Sequence, residues 1–182
     1  MRYKQGQKVQ TYQKILAAAE RSFKKQGYNG IGVDGLAKEA GVTSGAFYGH
    51  FKSKMSVFSA AIVAGLNELR EVIEQLQEQH KQQWWQEFAK IYMGQKRLCD
   101  LSQSCALQSL TAEVSRSNAE IRAVFQQELL KIITVASNKN KLETKKVWSN
   151  LSMLIGAVTL ARAVKDEEVS NEIATAILST LE

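Results

Sequence analysis

Apolar residues recur at intervals of three and four along most of this chain, which is the spacing of one face of an α-helix. One such stripe, with intervals of 4, 4, 3, 4 and 3, consists of Phe58, Ile62, Leu66, Leu69, Ile73 and Leu76. A later stripe, with intervals of 4, 3, 4 and 3, consists of Val147, Leu151, Leu154, Val158 and Ala161. The 182 residues include no proline, which would interrupt a helix. The pattern therefore predicts an all-α fold.

Glycines and polar breaks divide the pattern into separate helices. Thr11 is a plausible N-cap for the first helix, and Gly27 ends it. Ser53 is a plausible N-cap for the longest helix. The later predicted helices lie at about 33–40, 44–50, 53–80, 82–93, 103–116, 118–137, 144–164 and 167–181. Residues 1–10 are basic and lack periodicity, so we predict a flexible arm there, which sometimes reaches the minor groove of DNA but is more often a disordered terminus.

Residues 33–51 have the pattern of two short helices joined by a tight turn. Gly41 stands where a left-handed residue ends the first helix, and the Thr43 hydroxyl can cap the second. Phe47 and Phe51 point back into the same small core. Two short helices with such a turn form a helix-turn-helix, whose second helix enters the major groove of DNA.

The charge of the chain is concentrated at its N-terminal end. Residues 1–55 carry 10 Lys+Arg against 3 Asp+Glu, whereas the remainder carries 14 against 15. A basic first third indicates a polyanionic partner. From charge alone, a solvated basic surface is an equally good interpretation.

The remaining residue types indicate neither an enzyme nor a metal protein. The chain has two cysteines, Cys99 and Cys105, and two histidines, with no metal-ligand spacing and no acid–base or nucleophilic constellation. We interpret the cysteines as ordinary reduced thiols. Oxidant sensing is the alternative, but the nearest cation, Arg97, is opposed by Asp100. We expect no cofactor and no metal. The polar N-terminus and the absence of a long apolar run predict a soluble cytoplasmic protein that does not enter a membrane.

A longer match extends the helix-turn-helix on both sides. It includes Gly27-Tyr28, Ala40-Gly41-Val42-Thr43 and the run GAFYGHFKSK from Gly45 to Lys54. With these residues, the span 11–62 resembles the DNA-binding domain of the TetR family of bacterial transcriptional repressors. Because about 50 residues match with their spacing intact, this is a far stronger signal than a glycine turn alone. The segment 104–116 also resembles part of one large subset of that family, a weaker match.

The resemblance implies an architecture and a function. Residues 1–53 would form the DNA-binding domain, and residues 54–182 a helical ligand-binding and dimerisation domain. The protein would bind a palindromic operator in double-stranded DNA as a homodimer, and a small-molecule inducer, which the resemblance does not identify, would release it. A ligand-independent DNA-binding factor on the same fold, or an activator, is the alternative; an all-helical enzyme would need a constellation that the chain lacks.

The resemblance also implies which residues contact DNA. Contacts to DNA are expected from hydroxyl groups, from the N–H groups at the helix start and from aromatic or basic side chains, while small residues allow close approach. The positions are Thr43, Ser44, Gly45, Ala46, Tyr48, Gly49, His50 and Lys54. Ser44, Gly49 and Gly32 depart from the family pattern, which leaves the second helix short of long side chains for base edges. Base recognition would then depend on Ser44, Ala46, backbone groups, the Lys38 region or DNA shape. For His50, a purely structural role is the alternative.

The C-terminal part offers two further predictions. Aromatic and thiol side chains suited to an apolar ligand pocket are Trp84, Trp85, Phe88, Tyr92, Cys105, Phe125 and Trp148, although aromatics at helical spacing are more often plain core. Apolar residues of the last two helices suited to a dimer interface are Leu151, Leu154, Val158, Ala161, Ile173 and Ile177. Packing within one protomer is the alternative, and periodicity does not separate the two.

Overall fold

The computed structural model of the chain describes residues 2–138 and 143–180, with side chains from residue 6 to 137 and from 143 onward. Over this part the fold contains helices and no strand, which confirms the all-α prediction. The helices are α1 (Arg2–Gln26), α2 (Val33–Glu39), α3 (Ser44–Tyr48), α4 (Lys54–His80), α5 (Trp84–Ile91), α6 (Ala106–Ser115), α7 (Ala119–Asn138), α8 (Thr144–Ala163) and α9 (Glu167–Thr180). A π-helical turn, Tyr92–Lys96, continues α5, and a 3₁₀ turn, Leu101–Gln103, precedes α6. None of the described helices is long and apolar enough to cross a membrane.

The first helix is longer than its apolar pattern. Residues 2–10, predicted as a flexible arm, are the first turns of α1, and Met1 lies outside the described residues. Arginine, lysine and glutamine favour helix without contributing to an apolar stripe, so periodicity alone misses this extension. Gly27 ends the helix, as predicted, with a φ of 73°.

The turn between α2 and α3 follows from one glycine. Gly41 has a φ of 67°, in the left-handed region that the sequence predicts for it. The Val42 N–H donates to the Ala37 carbonyl and the Gly41 N–H to the Lys38 carbonyl, at 2.9 and 3.0 Å. These two bonds form a Schellman motif, which ends α2 and directs the chain into α3.

Helix α4 joins the N-terminal and C-terminal parts of the fold. Ser53 and Ser56 form a capping box at its start, and the helix packs against both α1 and α7. Near its start, Phe58 is fully buried with its ring 5.1 Å from that of Phe23 and 4.9 Å from that of Tyr28. One continuous apolar core therefore runs from the helix-turn-helix into the C-terminal helices.

A second connection runs beside α4. The Leu101–Gln103 turn and α6 both pack against α1. Helix α6 also lies so close to α4 that a Cβ on Gly65 would overlap the Cβ of Ala106. Helix α1 packs on α2 and, with α2 and α3, forms the helix-turn-helix unit. The C-terminal helices therefore contact this unit through α4, through the 3₁₀ turn and through α6.

The predicted dimer residues are used inside the protomer. Leu151, Leu154, Val158 and Ala161 are buried within the chain, and Ile173 and Ile177 are half-buried against the same core. This corrects the prediction for the four α8 residues, because an apolar stripe marks the buried side of a helix whatever covers it. The outward side of α8 instead carries Trp148, Ser152, Gly156, Thr159, Leu160 and Ala163.

Glu20 predicts a pH dependence of folding. Burial, followed by the repulsion of Glu68, raises the pKa of this α1 carboxyl, against the attraction of Lys24 and Arg21. Because the folded state holds this proton more tightly than the unfolded chain, stability falls as pH rises from 4.5 through the raised pKa. We expect Glu20→Gln to raise the melting temperature at pH 7 and to lose that advantage near pH 4. Thermal unfolding at pH 7 and pH 4 measures the effect, with Glu172→Gln at an exposed position as the control. A difference in melting temperature between Glu20→Gln and the wild type that is the same at both pH values would contradict this assignment.

Candidate nucleic-acid interface

Helix α3 presents one side to solvent and anchors itself with the other. Phe47 is fully buried and Phe51 nearly so, as predicted for structural residues. Thr43 caps the helix, since its Oγ1 accepts a hydrogen bond of 3.1 Å from the Ala46 N–H. Thr43, Gly45, Tyr48 and Gly49 are exposed, and Ser44, Ala46 and His50 are half-buried. The structure thus brings seven of the eight predicted DNA contacts together at one short helix.

The Ser44 hydroxyl already has a partner. It donates a hydrogen bond of 2.6 Å to Oδ1 of Asp34, in the first turn of α2. This contact ties the two helices of the motif together and places a carboxylate beside the start of α3. Ser44 is therefore held in place, and an anionic group stands where sequence reasoning considered only neutral and basic ones.

The glycines of α3 differ in what surrounds them. A Cβ on Gly45 would meet only the Thr43 Oγ1, at 3.8 Å, so nothing inside the protein requires glycine there. A Cβ on Gly49 would meet the Ala46 carbonyl oxygen at 3.3 Å. The bare backbone at Gly45 is consistent with close approach by an external molecule.

Two aromatic side chains, Tyr48 and Tyr12, lie at the C-terminal end of α3. Tyr48 is 56% exposed, which leaves its ring and hydroxyl available. Tyr12 of α1 stacks on Phe51 at 5.0 Å and lies 6.3 Å from the ring of His50. His50 thus lies beside the ring of Tyr12, which is consistent with the structural role considered as its alternative.

Lys54, the eighth predicted contact, opens α4 beside the motif. Its Nζ lies 4.2 Å from the centroid of the Tyr28 ring, a cation–π arrangement. The free N–H groups at the start of α4 add to the positive potential of this ammonium. The starts of α3 and α4 therefore offer two cationic or dipolar positions for phosphates.

Asp34 makes a testable contribution to this surface. We expect Asp34→Asn to tighten binding to any duplex DNA by roughly two- to fivefold at 0.1 M salt, because it removes an exposed like charge near the phosphates. The asparagine oxygen can still accept the Ser44 hydrogen bond. Fluorescence anisotropy with labelled duplexes measures the effect, with Glu120→Gln of α7 as a charge-matched control. Unchanged or weaker binding by Asp34→Asn would contradict the placement of Asp34 at the interface.

Comparison with known proteins finds a family match for one segment of the chain. Residues 15–61 match the family model described as bacterial regulatory proteins of the tetR family. This segment, which includes α2 and α3, is similar to the regulatory proteins of that family. Among curated relatives, the Transposon Tn10 TetC protein of Escherichia coli is 42% identical over 50 residues, which are 28% of this chain and 25% of that protein. The regulator AcrR of Shigella flexneri is 48% identical over 50 residues, 28% of this chain and 23% of that protein. These matches span about a quarter of each relative's length.

Solved structures resemble the chain over nearly its whole length. The reduced form of Escherichia coli NemR has a TM-score of 0.81 at 19% identity, covering 94% of this chain and 95% of that one. Bacillus subtilis FadR in complex with stearoyl-CoA has a TM-score of 0.66 at 19% identity, covering 94% of this chain and 100% of that one. At such identities the likeness establishes a shared fold.

The C-terminal helices line a cavity of about 100 Å³ that is partly open to solvent. Its apolar lining consists of Gly65, Leu69, Val72, Phe88, Ile91 and Ala106. Its polar lining consists of Glu68, Tyr92, Lys96, Ser104 and Cys105. Three predicted pocket residues, Phe88, Tyr92 and Cys105, are therefore brought together here.

The other four predicted pocket residues do not line this cavity. Trp84 and Trp85 are buried core, Phe125 is half-buried against the core and Trp148 is exposed. Sequence reasoning instead missed Lys96 and Glu68, whose charges carry no apolar signal, and the π-helical turn that holds Tyr92 and Lys96. It also missed Arg162 of α8, which donates hydrogen bonds to the carbonyls of Lys96, Arg97 and Cys99.

Proposed function

We propose that the protein is a DNA-binding transcriptional repressor that binds a palindromic operator as a homodimer and is released by a small-molecule inducer. The observation that carries the proposal is the outward side of α3, with its Thr43 cap and exposed Gly45 and Tyr48, within a TetR-family segment. The basic balance of residues 1–55 supplies the attraction to phosphates. A curated relative from Brucella suis, 39% identical over 62 residues, is named as the repressor BepR.

The dimer would form on the outward side of α8. Leu160 is 62% exposed and Trp148 is 37% exposed, and between them lie small residues that allow a second helix to approach closely. A two-fold axis through this surface would present two copies of α3 to successive major grooves of DNA.

The inducer would occupy the cavity beside α4, α5 and α6. Bacillus subtilis FadR, which shares this fold, is described with stearoyl-CoA bound, which supports a ligand site in the helices that follow the DNA-binding domain. In this chain, Ser104 lines the cavity and donates a hydrogen bond to the Leu101 carbonyl. Lys96, also in the lining, donates one of 3.1 Å to the Gln103 carbonyl.

These bonds connect the cavity with the DNA-binding unit. The Leu101–Gln103 turn packs on α1, and Lys25 of α1 helps to lower the pKa of Asp100, after the hydrogen bonds from Ser102. A ligand that displaces Lys96 or Ser104 would move this turn and, with it, α1. It would release DNA to the extent that it binds the shifted arrangement more tightly.

The test begins with the mass and the DNA binding of the full chain. Light scattering should give twice the mass of one chain, and a selected duplex should bind one dimer in an anisotropy titration. A screen of small molecules on that complex should find at least one that raises the dissociation constant tenfold. A monomer that binds no duplex at low salt would contradict the proposal, whereas a dimer released by no compound would favour a ligand-independent factor.

A further inference from the structure

The Tyr92 hydroxyl lacks a conventional partner in the cavity. The side chain is 1% exposed, and its oxygen makes no hydrogen bond to an oxygen or nitrogen of the described residues. Its polar neighbour is the thiol of Cys105, which is a weak acceptor. A buried hydroxyl without a good partner costs free energy, so such a group on a residue that lines a cavity is a position for a ligand atom.

The protonation state of the Tyr92 hydroxyl determines which type of ligand atom can hydrogen-bond to it. Burial, with a smaller contribution from Cys105, raises the pKa of Tyr92 well above its usual value. The hydroxyl is therefore a neutral donor at physiological pH. It complements an accepting oxygen and does not compensate a buried negative charge.

The other polar groups of the cavity are already engaged or lie toward solvent. Ser104 donates to the Leu101 carbonyl and is hydrogen-bonded to Ser109, and Lys96 donates to the Gln103 carbonyl. Glu68 is exposed, and Lys96 is half-buried. The buried residues of the lining that remain thus offer apolar walls, one phenolic hydroxyl and one thiol.

The volume limits the size of the ligand. An apolar cavity of about 150 Å³ is enough to hold a benzene molecule. This one has about 100 Å³ and meets solvent beside Glu68, so a single ring would fill it and reach the opening. Phe88 and Leu69 supply flat and branched apolar contacts for such a ring.

We infer that the cavity binds a compact, uncharged, single-ring compound whose one carbonyl-type oxygen accepts a hydrogen bond from the Tyr92 hydroxyl. The inference rests on the proposed function, since the same cavity is assigned there to the inducer. It adds the chemical class: a neutral aromatic ketone or a similar molecule, in preference to a hydrocarbon or a carboxylate of the same size.

The test compares three probes on the full chain by ligand-observed NMR titration. Acetophenone carries the accepting oxygen, ethylbenzene lacks it, and benzoate adds a charge. Acetophenone should bind with a dissociation constant on the order of 0.1–1 mM, as expected for so few atoms. Ethylbenzene should bind roughly two- to tenfold more weakly, the contribution of one neutral hydrogen bond. Benzoate should not bind measurably.

Variants locate the binding. In Tyr92→Phe, acetophenone should bind only as tightly as ethylbenzene, and the affinity for ethylbenzene should not change. Tyr28→Phe makes the same change outside the cavity and should alter neither affinity. Val72→Phe, which fills the cavity, should block both probes, with circular dichroism to confirm that it folds. Equal binding of acetophenone and ethylbenzene to the wild type, an unchanged preference in Tyr92→Phe, or binding that survives in folded Val72→Phe would overturn the inference.

A DNA-binding titration of the same samples separates this inference from the proposed function. Normal DNA binding without acetophenone binding would overturn the inference and leave the repressor proposal standing. Tyr92-dependent acetophenone binding by a protein that binds no DNA would support the inference and contradict the repressor proposal.

Discussion

Replacing Gly45 with glutamate should reduce the affinity of the protein for duplex DNA at least about 100-fold without unfolding it. The new carboxylate would stand at the exposed start of α3, against phosphates, and like charges brought together at an interface cost several kcal/mol. The fold should tolerate the change, because a Cβ at Gly45 meets only the Thr43 Oγ1, at 3.8 Å. A negative charge in the first turn also suits the helix dipole.

The control for this substitution is Gln127→Glu on the exposed surface of α7. It adds the same charge to the C-terminal part and should change DNA affinity less than twofold at 0.15 M salt, where distant charges are screened. Anisotropy titrations give the affinities, and thermal unfolding checks the fold. Wild-type DNA affinity in folded Gly45→Glu would show that α3 is not the DNA-contacting helix.

Replacing Phe58 with alanine should lower the free energy of unfolding by about 3–5 kcal/mol, the range for truncating a buried phenylalanine. Phe58 is fully buried on α4 and packs edge-on against Phe23 and beside Tyr28. Its removal would leave a cavity where α4 joins the helix-turn-helix unit. Because α4 carries the shared core, we expect both parts of the chain to lose stability together.

The control for Phe58→Ala is Tyr48→Ala, which should change stability little and DNA binding more. Tyr48 is an aromatic that is 56% exposed, so its truncation should cost less than about 1 kcal/mol of stability while weakening DNA binding. Urea unfolding followed by circular dichroism measures both variants. A change below about 1 kcal/mol in Phe58→Ala would contradict the assignment of this aromatic cluster as the joint between the two parts.

Local patterns accounted for most of the fold. The helix-turn-helix was predictable because Gly41, Thr43 and Phe47 act on neighbours within a few residues: a left-handed turn, an N-cap and a buried face. The same reasoning missed the first turns of α1, where polar helix formers leave no apolar stripe. It also assigned Leu154 and its neighbours on α8 to a dimer interface, although these side chains are covered by their own chain.

Contacts between residues that are far apart along the chain could not be predicted from the sequence pattern. Asp34 and Ser44 are ten positions apart on two helices, and nothing in their spacing predicts that they meet. In the cavity, Tyr92 and Cys105 were predicted as pocket residues, but aromatic spacing alone did not separate them from core residues such as Trp84. That distinction depends on how α4, α5 and α6 diverge, which is a property of tertiary packing.

Selection of duplexes from a random-sequence library by the full chain would show whether α3 recognises DNA as part of a symmetric regulator. We predict a palindromic motif whose half-sites lie one helical turn, about 10–10.5 base pairs, or a multiple of it apart. Affinity for this motif should fall steeply with salt, and Gly45→Glu should select nothing. The role of α3 in binding DNA would be contradicted if the wild-type protein enriched no sequence at low salt, or if Gly45→Glu enriched the same sequences as the wild type.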